Sequence, residues 1–229
     1  SILTIGLTII DILTGKLINY EYQHQYINSP TVYDQLEKYI AIYNPCEAII
    51  ITNTEEQEEN LIETIISYSN INTQKLYKIF INNKSNLDKN SKVKENEFEN
   101  IACNCEKQKY QEALIDKIYG IGSFQEKSEF HQYPIANQSL CFLLYFIEKH
   151  NPYLVKDIDY PQFENHCNKL ILANHSLKQL NIISDQRYNG KLSCVSNFLN
   201  NCITNTGKRK FNYDLLHPIN DIVTLNKAY

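Results

Sequence analysis

Two carboxylates at strand ends, a short basic cluster, seven thiols and six imidazoles are the groups of this chain best suited to chemistry. Asp11 closes the apolar run Leu3–Ile10, and Glu47 stands at the start of another, Ala48–Thr52. A carboxylate at a strand end suits two-metal phosphodiester hydrolysis, which needs several carboxylates converging on ions about 4 Å apart. The run Ala48–Thr52 carries no carboxylate inside it. Asp11 is followed by Ile12-Leu13-Thr14-Gly15, a turn that an Asp side chain can cap by accepting a backbone N–H. Turn capping is the preferred role, and a phosphate-binding turn would want glycine directly after the aspartate.

The other candidates are weaker. Lys208-Arg209-Lys210 sits near a predicted helix start, and a solvated helix face is preferred over contact with a DNA backbone. His175 and His217 have no nucleophile or second base at a recognisable spacing, so packing or capping is expected of both. Cys103 and Cys105 stand too close to bridge easily. Cys46, Cys141, Cys167, Cys194 and Cys202 lie in apolar stretches and predict buried thiols, reduced in an intracellular compartment. Neither Cys103-Asn-Cys105 nor His166-Cys167 has zinc-ligand spacing. Thr206-Gly207-Lys208 lacks the first glycine and the preceding strand of a phosphate loop. The seventeen tyrosines scatter along predicted helix faces, which points to core filling rather than base stacking. No catalytic, cofactor-binding or metal-ligating residue is assigned.

The elements that position these groups change character along the chain. Leu3–Ile10 and Lys16–Tyr22 predict a hairpin closed by Gly15. Ser29-Pro30 predicts a helix start with Ser as cap, and Asn44-Pro45 a stop. Ala48–Thr52 predicts a fully buried strand, residues 56–67 a helix and Leu76–Ile81 another strand. Asn82–Asn96 reads as a polar loop. Helices follow over Lys107–Tyr119, with Gly120 as C-cap, and over Pro134–His150, apolar enough to be buried on most sides. Alternating strands and helices predict an α/β layer fold up to residue 151, and residues 152–229 predict a mainly α region. There, helices are expected over Lys191–Cys202, Thr206–Leu216 and onward from Asp221 as cap.

At 229 residues, 43% of them hydrophobic, the chain is long enough for a sizeable core in one or two domains. A net charge of -4 argues against wrapping nucleic acid by electrostatics alone. The longest apolar run, Leu140–Ile147, is short of the ~18 residues of a membrane span, and the first residues do not read as a signal peptide. The absence of Met and the helix running to Tyr229 lead us to expect a piece of a longer polypeptide.

Several segments carry a resemblance. Ile5-Gly-Leu-Thr-Ile-Ile-Asp-Ile-Leu-Thr-Gly15 resembles the opening strand and turn of the connector domain of MutS mismatch repair proteins, and Asn44-Pro-Cys-Glu-Ala-Ile-Ile-Ile51 is similar to the step into its next strand. Leu170–Leu180 resembles the opening of the MutS core, and Gly190–Leu199 its small-residue step into a helix. Thr204-Asn-Thr-Gly-Lys-Arg209 is similar to the family's Thr-x-x-Gly-x-Arg element, and Leu215–Ile222 to the corner before the lever helices. These segments stand in the family's order, with 82–100 unmatched.

The resemblance implies an RNase H-like connector with a mixed sheet flanked by helices over 1–151, then the incomplete start of the helical core over 152–229. It implies a segment that couples DNA binding to an ATPase elsewhere, with ATP and Mg held by other domains. It also implies a MutL-type docking partner, DNA reached through other domains, and a homodimer or heterodimer when intact. Phe124-Gln-Glu126 has the letters of the family's mismatch-reading wedge but lies downstream of the connector's first strand, so it reads as coincidence. A divergent RNase H-like metal-dependent nuclease is the alternative, and Asp11 is its test.

Overall fold

A computed structural model of the chain describes residues 2–27, 29–53, 58–81, 95–164, 174–183 and 190–228. The described chain is mixed α/β with small sheets. Strands β1 (Ile2–Ile10), β2 (Leu17–Gln25), β3 (Glu47–Thr52), β4 (Lys75–Phe80) and β5 (Gln162–Phe163) pair as a three-stranded sheet β1-β2-β5 and a two-stranded sheet β3-β4. The helices are α1 (Asp34–Tyr43), α2 (Glu58–Ser69), α3 (Glu95–Cys105), α4 (Gln108–Tyr119), α5 (Ser123–Glu126), α6 (Glu129–Gln132), α7 (Pro134–His150), α8 (Asn174–Gln179), α9 (Val195–Leu199), α10 (Asn205–Leu216) and α11 (Ile222–Ala228). The chain divides into two compact units, one of residues 1–27, 49–62 and 76–164, the other of 28–48, 63–75 and 165–229.

In the first unit β1 and β2 form an antiparallel hairpin with Gly6 opposite Glu21 and Thr8 opposite Asn19, and β5 joins β2 in parallel. Helix α7 supplies the centre of the core: Leu140, Cys141, Phe142 and Leu144 are buried together with Ile115 of α4, Ala102 and Cys105 of α3, and Phe124 and Phe130. Ile49, Ile51 and Ile79 from the second sheet, Ile81 just after it, and Leu17 and Ile10 from the hairpin join the same cluster. Burying this much apolar area is the main favourable contribution to such a fold.

Three expectations are corrected here. Strand β3 is mostly half-buried rather than fully buried, because it lies in a sheet of only two strands. Residues 95–96 belong to α3 rather than to a loop, while 82–94 lie outside the described residues. Helix α3 forms because Phe98, Ala102 and Cys105 recur at helical spacing and pack on α7, with the Phe98 ring 6.0 Å from Phe146 and 6.3 Å from Phe142. Helix α9 covers only Val195–Leu199 of the stretch 191–202.

The second unit is mainly helical. Ser29 accepts from Thr31 N at the start of a 3-10 turn, Pro30–Tyr33, that leads into α1. Helix α1 ends at Asn44, which leaves the right-handed helical conformation that Pro45 disfavours in the residue before it and takes the left-handed one that Asn tolerates. Ile42 of α1, Leu177 of α8 and Leu216 of α10 form its small core, with Tyr43, Ile182, Ile183 and Tyr213 around them. Glu37 of α1, 8% exposed, receives Lys178 Nζ at 2.6 Å and also accepts from the Asn70 amide. A buried carboxylate is tolerated only with such partners.

Candidate functional site

Asp11 begins the hairpin turn. Its Oδ1 accepts from Leu13 N at 3.2 Å, and its carbonyl accepts from Thr14 N at 3.2 Å and Gly15 N at 2.8 Å. The carboxylate thus closes a turn of its own. Among the described residues no cluster of His, Cys, Asp or Glu is arranged to hold a metal ion. Glu47 is engaged by Lys75 Nζ at 2.9 Å.

The turn is fixed from its other end by Gly15. This residue has φ +71, and a Cβ there would fall 2.1 Å from the carbonyl oxygen of Asp157. The Gly15 carbonyl accepts from Asp159 N at 2.8 Å, which joins the turn to the segment leading into β5. Only glycine meets both the positive φ and the close approach.

Gly6 has a similar role in the middle of β1. A Cβ on it would stand 2.4 Å from the carbonyl carbon of Ile135 and 2.6 Å from Ala136 N, so the first turn of α7 lies directly on the strand. Opposite Gly6, Glu21 Oε2 accepts from Ile135 N and Ala136 N, both at 2.9 Å. Two first-turn N–H groups of α7 are thereby satisfied, and Pro134 before them has none to satisfy. One step along the hairpin, Thr8 Oγ1 is 2.5 Å from Ser139 Oγ, and the fully buried Asn19 amide meets Thr8 Oγ1 at 3.0 Å. Asn19 also lies 3.3 Å from the side chain of Asn137, whose amide donates to the Phe130 carbonyl. The seam between hairpin and helix is therefore polar, inside an otherwise apolar unit.

In the second unit, Thr204 caps α10, its Oγ1 accepting from Gly207 N at 3.1 Å. A Cβ on Gly207 would stand 3.1 Å from that oxygen and 3.2 Å from Cys202 Cβ, so a small residue makes room for the cap. Of the basic cluster, Lys210 pairs with Asp214 at 2.6 Å along the helix, Arg209 is half-buried and Lys208 is exposed. His217 is buried, its Nδ1 3.2 Å from the Tyr213 carbonyl and its ring 4.5 Å from Tyr213. The backbone of His175 lies in α8, and His166 and Cys167 lie outside the described residues. Asp221 caps α11, and its bonds to Thr224 hold its carboxyl below the usual range.

The thiols are unbridged among the described residues. Burial pushes Cys105 up to about 12, and burial followed by the neighbouring Cys105 thiol pushes Cys141 well above its ordinary value. Both are poor nucleophiles. Cys46 is exposed, against the expectation of burial, because it follows the Pro45 turn and precedes β3. Phe124 is 2% exposed and stacks on Phe130 at 5.5 Å, so the wedge-like Phe124-Gln-Glu126 has its aromatic inside the core. The composition around Glu21 gave no hint of its role, and only the register opposite Gly6 reveals it.

The chain is 27% identical, over 96% of its length, to a DNA mismatch repair protein mutS homologue of Acanthamoeba polyphaga mimivirus, of which it covers 20%. It is 37% identical, over 40% of its length, to a mitochondrial DNA mismatch repair protein mutS homologue of Sarcophyton glaucum, of which it covers 9%. The chain thus spans about a fifth or less of the curated relatives it matches. No protein-family model matches the sequence.

Proposed function

We propose that the chain belongs to the MutS family and is the central, signal-carrying stretch of a MutS-type ATPase. Residues 1–151 act as the RNase H-like connector and 152–229 as the start of the core. The longer polypeptide binds ATP and Mg and contacts mismatched or branched DNA through other domains, as a homodimer or heterodimer in a reducing intracellular compartment. The connector stretch offers a docking surface to a MutL-type protein.

The observation that carries this reading is a match to a MutS homologue along 96% of the chain, with the motif residues in architectural positions. Asp11 closes a turn, Gly6 and Gly15 admit close backbone approaches, and Thr204 with Gly207 starts a helix. Residues arranged to hold elements together suit a part that transmits movement, because packed elements with discrete arrangements are what carry coupling between sites.

The test is capture. The 229-residue chain, immobilised, is expected to retain a purified MutL homologue from its own source and to release it at high salt. Failure to retain it at any salt concentration would remove the docking part of the proposal.

A further inference from the structure

The hairpin face beneath α7 has the opposite character from an ordinary core face. Gly6 and Thr8 of β1 lie across from Glu21 and Asn19 of β2, and all four meet the first turn and a half of one helix. Apolar faces slide past one another at modest cost, because the hydrophobic effect has no direction. Buried polar groups do not, since each stranded donor or acceptor is penalised.

We propose that this seam is a register lock, which holds α7 at a single axial position on the hairpin so that the two move as one body. Three features select that position. Side chains on one strand face repeat about every 6.8 Å. A shift of α7 by one such step would bring the backbone of Ile135 over Thr4 or Thr8, where a side chain stands in place of the Gly6 notch. The same shift withdraws Ile135 N and Ala136 N from Glu21, and it separates Ser139 from Thr8 and Asn137 from Asn19. Steric fit, the helix cap and the buried amide pair therefore agree on one register, and Glu21 is its positioning residue. The lock stands on this geometry alone, whereas its use in passing a signal rests on the function proposed above.

Amide hydrogen exchange on the whole 229-residue chain tests the lock without reference to ATP or DNA. Ile135 N and Ala136 N lie in the first helical turn, where no intrahelical acceptor exists, so their protection reports the Glu21 carboxylate. Glu21→Ala is expected to speed exchange at these two amides by about tenfold or more, and to leave the amides from Leu140 to Ile147 unchanged. Glu21→Gln keeps a neutral acceptor and is expected to restore part of the protection. Unchanged exchange at Ile135 and Ala136 in Glu21→Ala, or equal acceleration along the whole of α7, would overturn the lock. Should Glu21→Ala fail to fold, Glu21→Gln carries the test: a smaller acceleration confined to the two amides supports the lock, and any other pattern overturns it.

Discussion

At the scale of single residues, most of the groups that look chemical are structural. Asp11 accepts a backbone N–H within its own turn, and Glu47 pairs with Lys75. The role of Asp11 was legible, because an aspartate four residues before a turn glycine has a well-understood local use, whereas the Glu47–Lys75 pair was not. The proximity of the Cys105 and Cys141 thiols was not legible, since it arises only when α3 lies on α7. Burial raises Cys105 to about 12 from an ordinary 9.0, and Tyr110 to about 12 from 10.0. In the unfolded chain these groups lose their protons near the ordinary values, while the folded chain keeps them. The unfolded state then binds fewer protons, so stability is full below about pH 9 and falls as pH rises toward 12. Denaturant titrations across that range are expected to show midpoints declining from about pH 9 upward, with a shallower decline in Cys105→Ala.

At the scale of elements, the strands and the long helices follow from sequence pattern, and what pattern misses has definite causes. The run of Asn and Glu residues around Phe98 hides the apolar spacing of α3, so composition outweighed periodicity there. The two-residue strand β5 exists only because Asn19 and Ile18 offer it a partner edge. The 82–94 segment, expected as a loop, lies outside the described residues. Gly6 and Gly15 were legible as glycines of a strand and a turn, but the backbones that press on them come from α7 and from Asp157, over a hundred residues away. Gly15→Ala adds a methyl 2.1 Å from a carbonyl oxygen at positive φ. It is expected to destabilise the chain by about 2–3 kcal/mol, measured as a shift of the urea midpoint, and a change within experimental error would show that the turn relaxes freely.

At the scale of the whole molecule, kinship and geometry bear on different questions. The chain is similar to two MutS homologues and spans about a fifth or less of their length. The described residues supply two mixed or helical units whose motif residues fasten turns, strands and helix starts together. No helix among them is long and apolar enough to cross a membrane. The two small sheets share one apolar core with α7, and that sharing was not legible in the sequence, where each strand pattern speaks only for its own segment. On the function proposed above, a unit braced in this way would carry movement between a DNA-binding end and an ATP-binding end. The most direct measurement is the stimulation of ATP turnover by mismatched DNA in the full-length polypeptide carrying Glu21→Ala. The account predicts basal turnover and DNA affinity near those of the unaltered protein, with the stimulation lost; stimulation that survives unchanged, or basal turnover that vanishes, would contradict it.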